Sequence, residues 1–281
     1  MGGMELLNVL LKGGQDLTDC IFGPQQVPTG DSLLDKLARE KFAGVVKIRI
    51  ALESGGRSDL WLQQFRMNTI PSELAENGLD GADVEAQFTA PMLTDRPDVV
   101  IFSVLPDATQ ALWQHKSDRY LFQPVADWAT TWPLPRQQWF RRQFNNVGLL
   151  SITESNQNLL EFVRTVKGRV DAHIVAFNGS TVDPADHTHS YFGMNEDTLA
   201  LRVHRLDLAL MRLSVQEGIS IVDVDRRIAE VGADKHVLKA LTYSPEACRA
   251  VGQELFSVLA DIGFFEKRRL VLQIGRKKVA R

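Results

Sequence analysis

The 281-residue chain is predicted to be an α/β protein, a parallel sheet covered by helices on both faces. Two observations predict this. Four short runs rich in β-branched residues (44–51, 98–104, 172–177 and 219–224) read as buried parallel strands. Between them lie segments with helical periodicity, and strand–helix alternation down a chain favours a parallel sheet over an antiparallel one.

The helical segments follow in order. Residues 32–41 place Leu33, Leu34 and Leu37 on one face, and residues 158–170 gather Leu159, Phe162, Val163 and Val166. Residues 198–216 give the clearest case, with Leu199, Val203, Leu206, Leu210 and Leu213 spaced alternately by four and three. Residues 247–262 close the series with Val251, Leu255, Val258, Leu259 and Ile262. Near the N-terminus, Asp19–Phe22 is the candidate first strand. The segment 112–144 interrupts the alternation with Trp113, Trp128, Trp132 and Trp139 among three prolines. It reads as an excursion that packs its aromatics onto the domain, or as a lid over a pocket.

Composition narrows the function classes. A formal net charge of -3 gives no reason to expect nucleic acid as a partner. Cys20 and Cys248 are too few for a disulfide framework, which fits a reducing compartment. No signal peptide and no membrane-length apolar run is evident, so the expectation is a cytoplasmic protein without a membrane partner. One domain is expected over 1–265. The basic residues of 266–281 (among them Lys267, Arg268, Arg276 and Lys277) are expected to form a solvated tail.

In sheets of this kind, sites form at the carboxyl ends of the strands. The loops that matter are then 52–60, 105–110, 178–195 and 225–246. Gly30-Asp31-Ser32 precedes a predicted helix, where a nucleophilic serine can sit with helix amides nearby for an oxyanion. Asp31 or Ser32 can equally serve as an ordinary helix cap. Gly55 and Gly56 follow a strand, as oxyanion-binding or plain turn glycines. Asp107 follows the central strand. Three histidines offer a general base: His236, with Asp234 two residues earlier to orient it, and His187 and His189 in the 178–195 loop. Asp183, Asp186, His187 and His189 have metal-ligand chemistry, but their spacing matches no metal motif, and no metal or other cofactor is expected.

Gly30-Asp31-Ser32, the Gly55-Gly56 turn, the strand from Asp98 and the ending from Gly218 to Phe265, with Tyr243-Ser-Pro-Glu246 opening its last helix, resemble the SGNH/GDSL hydrolases. The resemblance implies a flavodoxin-like three-layer α/β/α fold and a serine nucleophile attacking a small ester or acylated metabolite. In such a mechanism a histidine relays the proton and no cofactor is used. By position it implies Ser32 as nucleophile, Asp31, Gly55, Gly56 and Asp107 about the oxyanion and substrate, and a family strand running straight into the serine motif. Lys239 and Thr242 stand where the family keeps its acid and histidine. The base would then be His236, His187 or His189, or else the domain is inactive and binds a ligand or partner.

Overall fold

The computed structural model describes residues 5–23, 32–41, 46–53, 56–90, 96–182, 198–239 and 241–265. Its first element is a strand, β1 (Glu5–Lys12), followed by α1 (Gln15–Phe22), α2 (Leu33–Lys41) and β2 (Val46–Glu53). Three helices, α3 (Ser58–Arg66), α4 (Ser72–Glu76) and α5 (Ala82–Glu85), precede β3 (Val99–Ser103) and α6 (Leu105–Thr109). The excursion comprises β4 (Leu112–His115), β5 (Leu121–Phe122), α7 (Trp128–Thr131), α8 (Leu134–Gln143) and β6 (Phe144–Gly148). Then come α9 (Ile152–Arg169), β7 (His173–Phe177), α10 (Leu199–Glu217), β8 (Ser220–Val222), α11 (Val224–Val231) and α12 (Ala233–His236). A small hairpin of β9 (Val237–Lys239) and β10 (Thr242–Tyr243) leads into α13 (Pro245–Asp261).

The main sheet has the order β2-β1-β3-β7-β8, and every neighbouring pair is parallel. Alternation sends successive side chains to opposite faces. Leu7, Val9 and Leu11 of β1, with Val99 and Ile101 of β3, meet Leu17, Leu34, Ile228 and Val251 from α1, α2, α11 and α13. Leu10, Val100 and Phe102 meet Trp61, Phe162 and Leu206 from α3, α9 and α10 on the other side. The result is the three-layer arrangement that the alternation of elements predicts.

Chain direction across the sheet reverses between β1 and β3. The first connection runs outward to β2, and the following strands are laid on the opposite side. Such a reversal leaves a crevice above the carboxyl ends of the two strands, because their connections diverge.

Two readings need correction. Asp19–Phe22 is the last turn of α1, not a strand, and the first strand is β1. The loop predicted around Asp234, Lys235 and His236 is the short helix α12. The tail beyond Phe265 lies outside the described residues.

The tryptophan-rich excursion builds its own aromatic core. Its three strands pair antiparallel in the order β5-β4-β6. Trp113, Trp128 and Trp132 place their ring centroids 5.0, 4.7 and 5.4 Å from that of the fully buried Phe140. Contacts of this geometry are worth about 0.5–1.5 kcal/mol each beyond area burial.

Candidate functional site

The crevice between β1 and β3 is built by a turn that follows β1 without delay. Lys12 ends the strand, and Gly13 and Gly14 lead into α1. A Cβ at Gly13 would stand 3.1 Å from Leu17 Cδ2 and 3.2 Å from Ser103 Cβ, so the small residue lets the turn lie against the end of β3. One turn on, the partly buried Asp16 accepts a short hydrogen bond from the Ser103 hydroxyl. Ser103 Oγ in turn accepts from the Leu105 amide at 3.2 Å, so β3, its following turn and α1 are joined through one side chain.

Burial pushes the Asp16 pKa up, and the Ser103 hydrogen bond and two backbone amides offset part of that rise. Tyr243, from β10, is buried close by. Burial first, then the Asp16 charge, push its phenol up, with Ser180 from the turn after β7 beside it. Asp16 and Ser103 therefore meet where the sheet's direction reverses, and the Asp16 charge reaches the Tyr243 phenol.

A second titratable group lies toward the β7–β8 end. Asp207 of α10 accepts from the Gly179 amide at 2.9 Å, and its pKa is raised to about 7. Burial is the main cause, with the Asp225 and Asp223 charges adding to it and the Gly179 bond opposing. His204, on the exposed side of α10, has Nε2 3.1 Å from Thr181 Oγ1.

Beneath the turn, Lys12 is fully buried and forms an ion pair with Glu53 at the end of β2, and its ammonium also donates to Gln64 Oε1 of α3. Burial lowers the Lys12 pKa, while the Glu53 charge opposes that shift. This pair fastens together the carboxyl ends of the two adjacent strands.

The residues singled out from sequence fall in several places. Ser32 is 3% exposed, and its Oγ accepts from the Asp35 amide at 3.0 Å, as a helix cap does. Asp35 then accepts from the Ile48 amide at 2.7 Å, three residues into β2, which places this cap beside the amino-terminal half of that strand. Ser32 thus lies beside the amino-terminal half of β2, whereas the strand that runs straight into a turn and helix is β1, and its turn carries Gly13-Gly14-Gln15-Asp16.

Asp107 lies in α6, after β3; it is 1% exposed, and its carboxylate accepts from the Ser58 amide (2.8 Å), the Ser58 hydroxyl (2.6 Å) and the Ser155 hydroxyl. Gly56 does reach the carboxyl edge. A Cβ there would meet the Gln110 amide group at 2.8 Å and Pro106 Cβ at 2.9 Å, so the loop after β2 rests on the turn after β3.

His236 Nδ1 contacts Ser244 Oγ at 2.8 Å, and Nε2 lies 3.8 Å from Glu246 Oε2. The structure thus pairs His236 with Ser244 and Glu246 instead of Asp234. Ser244 is also the cap of α13, accepting from the Ala247 amide at 3.2 Å, with Pro245 at the first helical position. Lys239 and Thr242 face each other across the β9–β10 hairpin. Asp31, Gly55, His187 and His189 lie outside the described residues.

Sequence reasoning missed Asp16 and Ser103. A signal was present in the glycine pair ahead of a Gln-Asp helix start, but it needed β1 to be recognised as a strand. His115 is buried at the end of β4.

No family model matches the chain, and no curated protein matches it in sequence. Solved structures do resemble it. A catalytic mutant of an acetylxylan esterase from Geobacillus stearothermophilus matches with a TM-score of 0.50 and 12% identity over 94% of this chain and 96% of the other. A lipase/acylhydrolase from Enterococcus faecalis matches with a TM-score of 0.50 and 12% identity over 90% of this chain and 95% of the other. The chain therefore has the SGNH/GDSL hydrolase fold.

Proposed function

We propose that this chain, built on the SGNH/GDSL hydrolase fold, hydrolyses or transfers the acyl group of a small ester or acylated metabolite, with its chemistry centred on Asp16. The observation that supports this reading is the Asp16–Ser103 pair at the reversal point of the sheet. A partly exposed carboxyl group with a raised pKa, held in a crevice by a hydroxyl, has the properties of a general acid–base.

In the ionised form Asp16 takes a proton from a water or alcohol as that oxygen attacks the ester carbonyl. In the protonated form it returns the proton to the departing alkoxide, so the products are the acid, or a new ester, and the free alcohol. The amide end of α1 at the same turn supplies positive potential for the developing oxyanion.

A second reading is that the domain binds a small ligand without turning it over. It is favoured by the absence of a hydroxyl residue in the turn 13–16 and by the engagement of Ser32 as a cap. One experiment separates the readings: hydrolysis of a panel of 4-nitrophenyl and thioester substrates by wild type, Asp16→Asn and Ser32→Ala, with fluorophosphonate labelling followed by intact mass. Turnover lost in Asp16→Asn and kept in Ser32→Ala supports the acid–base reading. An adduct on Ser32 with turnover lost in Ser32→Ala would overturn it in favour of a serine nucleophile. A wild type without turnover or adduct would leave the binding reading.

A further inference from the structure

A cleft of about 650 Å³ lies between α3, α9 and the turn joining β4 to β5. Glu73, Asp118 and Tyr120 stand on its wall, and His115, 3% exposed, lies with them. His115 Nε2 is 3.0 Å from Glu73 Oε2, and Nδ1 is 3.2 Å from Asp118 Oδ2. One donor atom from each of the three lies within 4.8 Å of the others.

Two buried atoms here have no hydrogen-bond partner among the described residues: His115 Nε2, despite its closeness to Glu73, and the Tyr120 hydroxyl. Tyr120 stacks on the imidazole with ring centroids 4.8 Å apart and planes within 9°. Unpartnered buried polar atoms are uncommon and call for a missing partner. A neutral imidazole moreover has a single N–H to offer, while a carboxylate oxygen faces each of its nitrogens. Nδ1 accepts from the Asp118 amide at 3.1 Å, which places the ring proton on Nε2. That leaves Asp118 Oδ2 3.2 Å from a ring nitrogen that carries no proton.

We propose that Glu73 and His115 Nε2 bind a divalent transition-metal ion of the Zn²⁺ kind, with cleft water filling the remaining positions. Binding moves the ring proton from Nε2 to Nδ1, which then donates to Asp118 Oδ2 and no longer accepts from the Asp118 amide. The proton count is unchanged. A carboxylate holding the N–H opposite the metal is the usual support for a histidine ligand. Glu73 is held from behind, since its Oε1 accepts from Trp139 Nε1 at 2.9 Å. Mixed imidazole and carboxylate donors suit zinc and its neighbours better than calcium or magnesium.

The test uses full-length protein stripped with a chelator and dialysed against Zn²⁺ or Co²⁺. Wild type is expected to retain one equivalent by elemental analysis and to give visible Co²⁺ bands. Asp118→Asn should bind about 10–100-fold more weakly, and Glu73→Gln at least as weakly, while keeping the acceptor for Trp139. Long-range ¹H–¹⁵N spectra of the His115 ring should change from the Nε2–H to the Nδ1–H form on adding Zn²⁺. Wild type that retains no more zinc than Glu73→Gln, or a ring that stays in the Nε2–H form, would overturn the proposal. The wild-type Co²⁺ and ring readouts need no variant, so misfolding of a mutant cannot obscure the answer.

Discussion

Ser103 donates its hydroxyl hydrogen to the Asp16 carboxylate, and this contact spans 87 residues of sequence to close the crevice between β1 and β3. A hydrogen bond to the ionised form holds a carboxyl pKa down, against the burial that raises it. Ser103→Ala should therefore raise the Asp16 pKa further. The measurement is a ¹³C titration of the Asp16 carboxyl in both proteins, with an unmoved or lowered midpoint counting against the assigned role of Ser103.

Asp207 predicts how stability depends on pH. Its folded pKa, about 7, lies above the ordinary value of 3.8, so the folded state holds its proton more tightly. Stability contributed by that proton is full below the unfolded pKa and is lost as pH rises from about 4 to about 7. The slope is at most about 1.4 kcal/mol per pH unit from one group. Asp207→Asn keeps an acceptor for Gly179 and cannot ionise. It should be more stable than wild type above pH 7 and should flatten the curve in that window, as read by urea unfolding at several pH values.

The Lys12–Glu53 pair predicts a strongly non-additive pair of mutations. Removing one partner leaves a buried, uncompensated charge, which costs about 3–5 kcal/mol, whereas replacing both with apolar residues of similar size is often close to neutral. Lys12→Met alone should be severely destabilised, and Lys12→Met combined with Glu53→Leu should recover most of the loss. Additive losses in denaturant melts would show that the pair is not coupled in this way.

Ser32→Ala tests the cap. The loss of one capping acceptor should cost about 1 kcal/mol of stability, visible as a lower unfolding midpoint, with turnover of any accepted ester unchanged. A stable variant lacking turnover would return Ser32 to the chemistry.

Much of the layered fold was legible because the strands at 44–51, 98–104, 172–177 and 219–224 are β-branched runs, and the structure places β2, β3, β7 and β8 within two residues of those bounds or inside them. β1 was not, for a physical reason. Its sequence is leucine-rich and carries Asn8 and Lys12, which look unlike a buried strand until tertiary partners are known. The Asn8 amide donates to Asp98 at 2.8 Å, and Lys12 finds Glu53. With β1 unseen, the Gly30-Asp31-Ser32 tripeptide took the place of the turn after the first strand. Asp16 with Ser103, and Glu73 with His115, are separated by long stretches of chain that only folding brings together.

The Asp107 carboxylate has a kinetic consequence. It bonds to Ser58 and Ser155, 49 and 48 residues away, while its own backbone carbonyl accepts from Arg202, 95 residues away, at 3.3 Å. None of these bonds can form until the intervening loops have closed, and loop closure is an entropic cost met before any contact rewards it. Until then the acid is hydrated at little cost. The node therefore belongs late on the folding path, and its removal should quicken unfolding far more than it slows refolding.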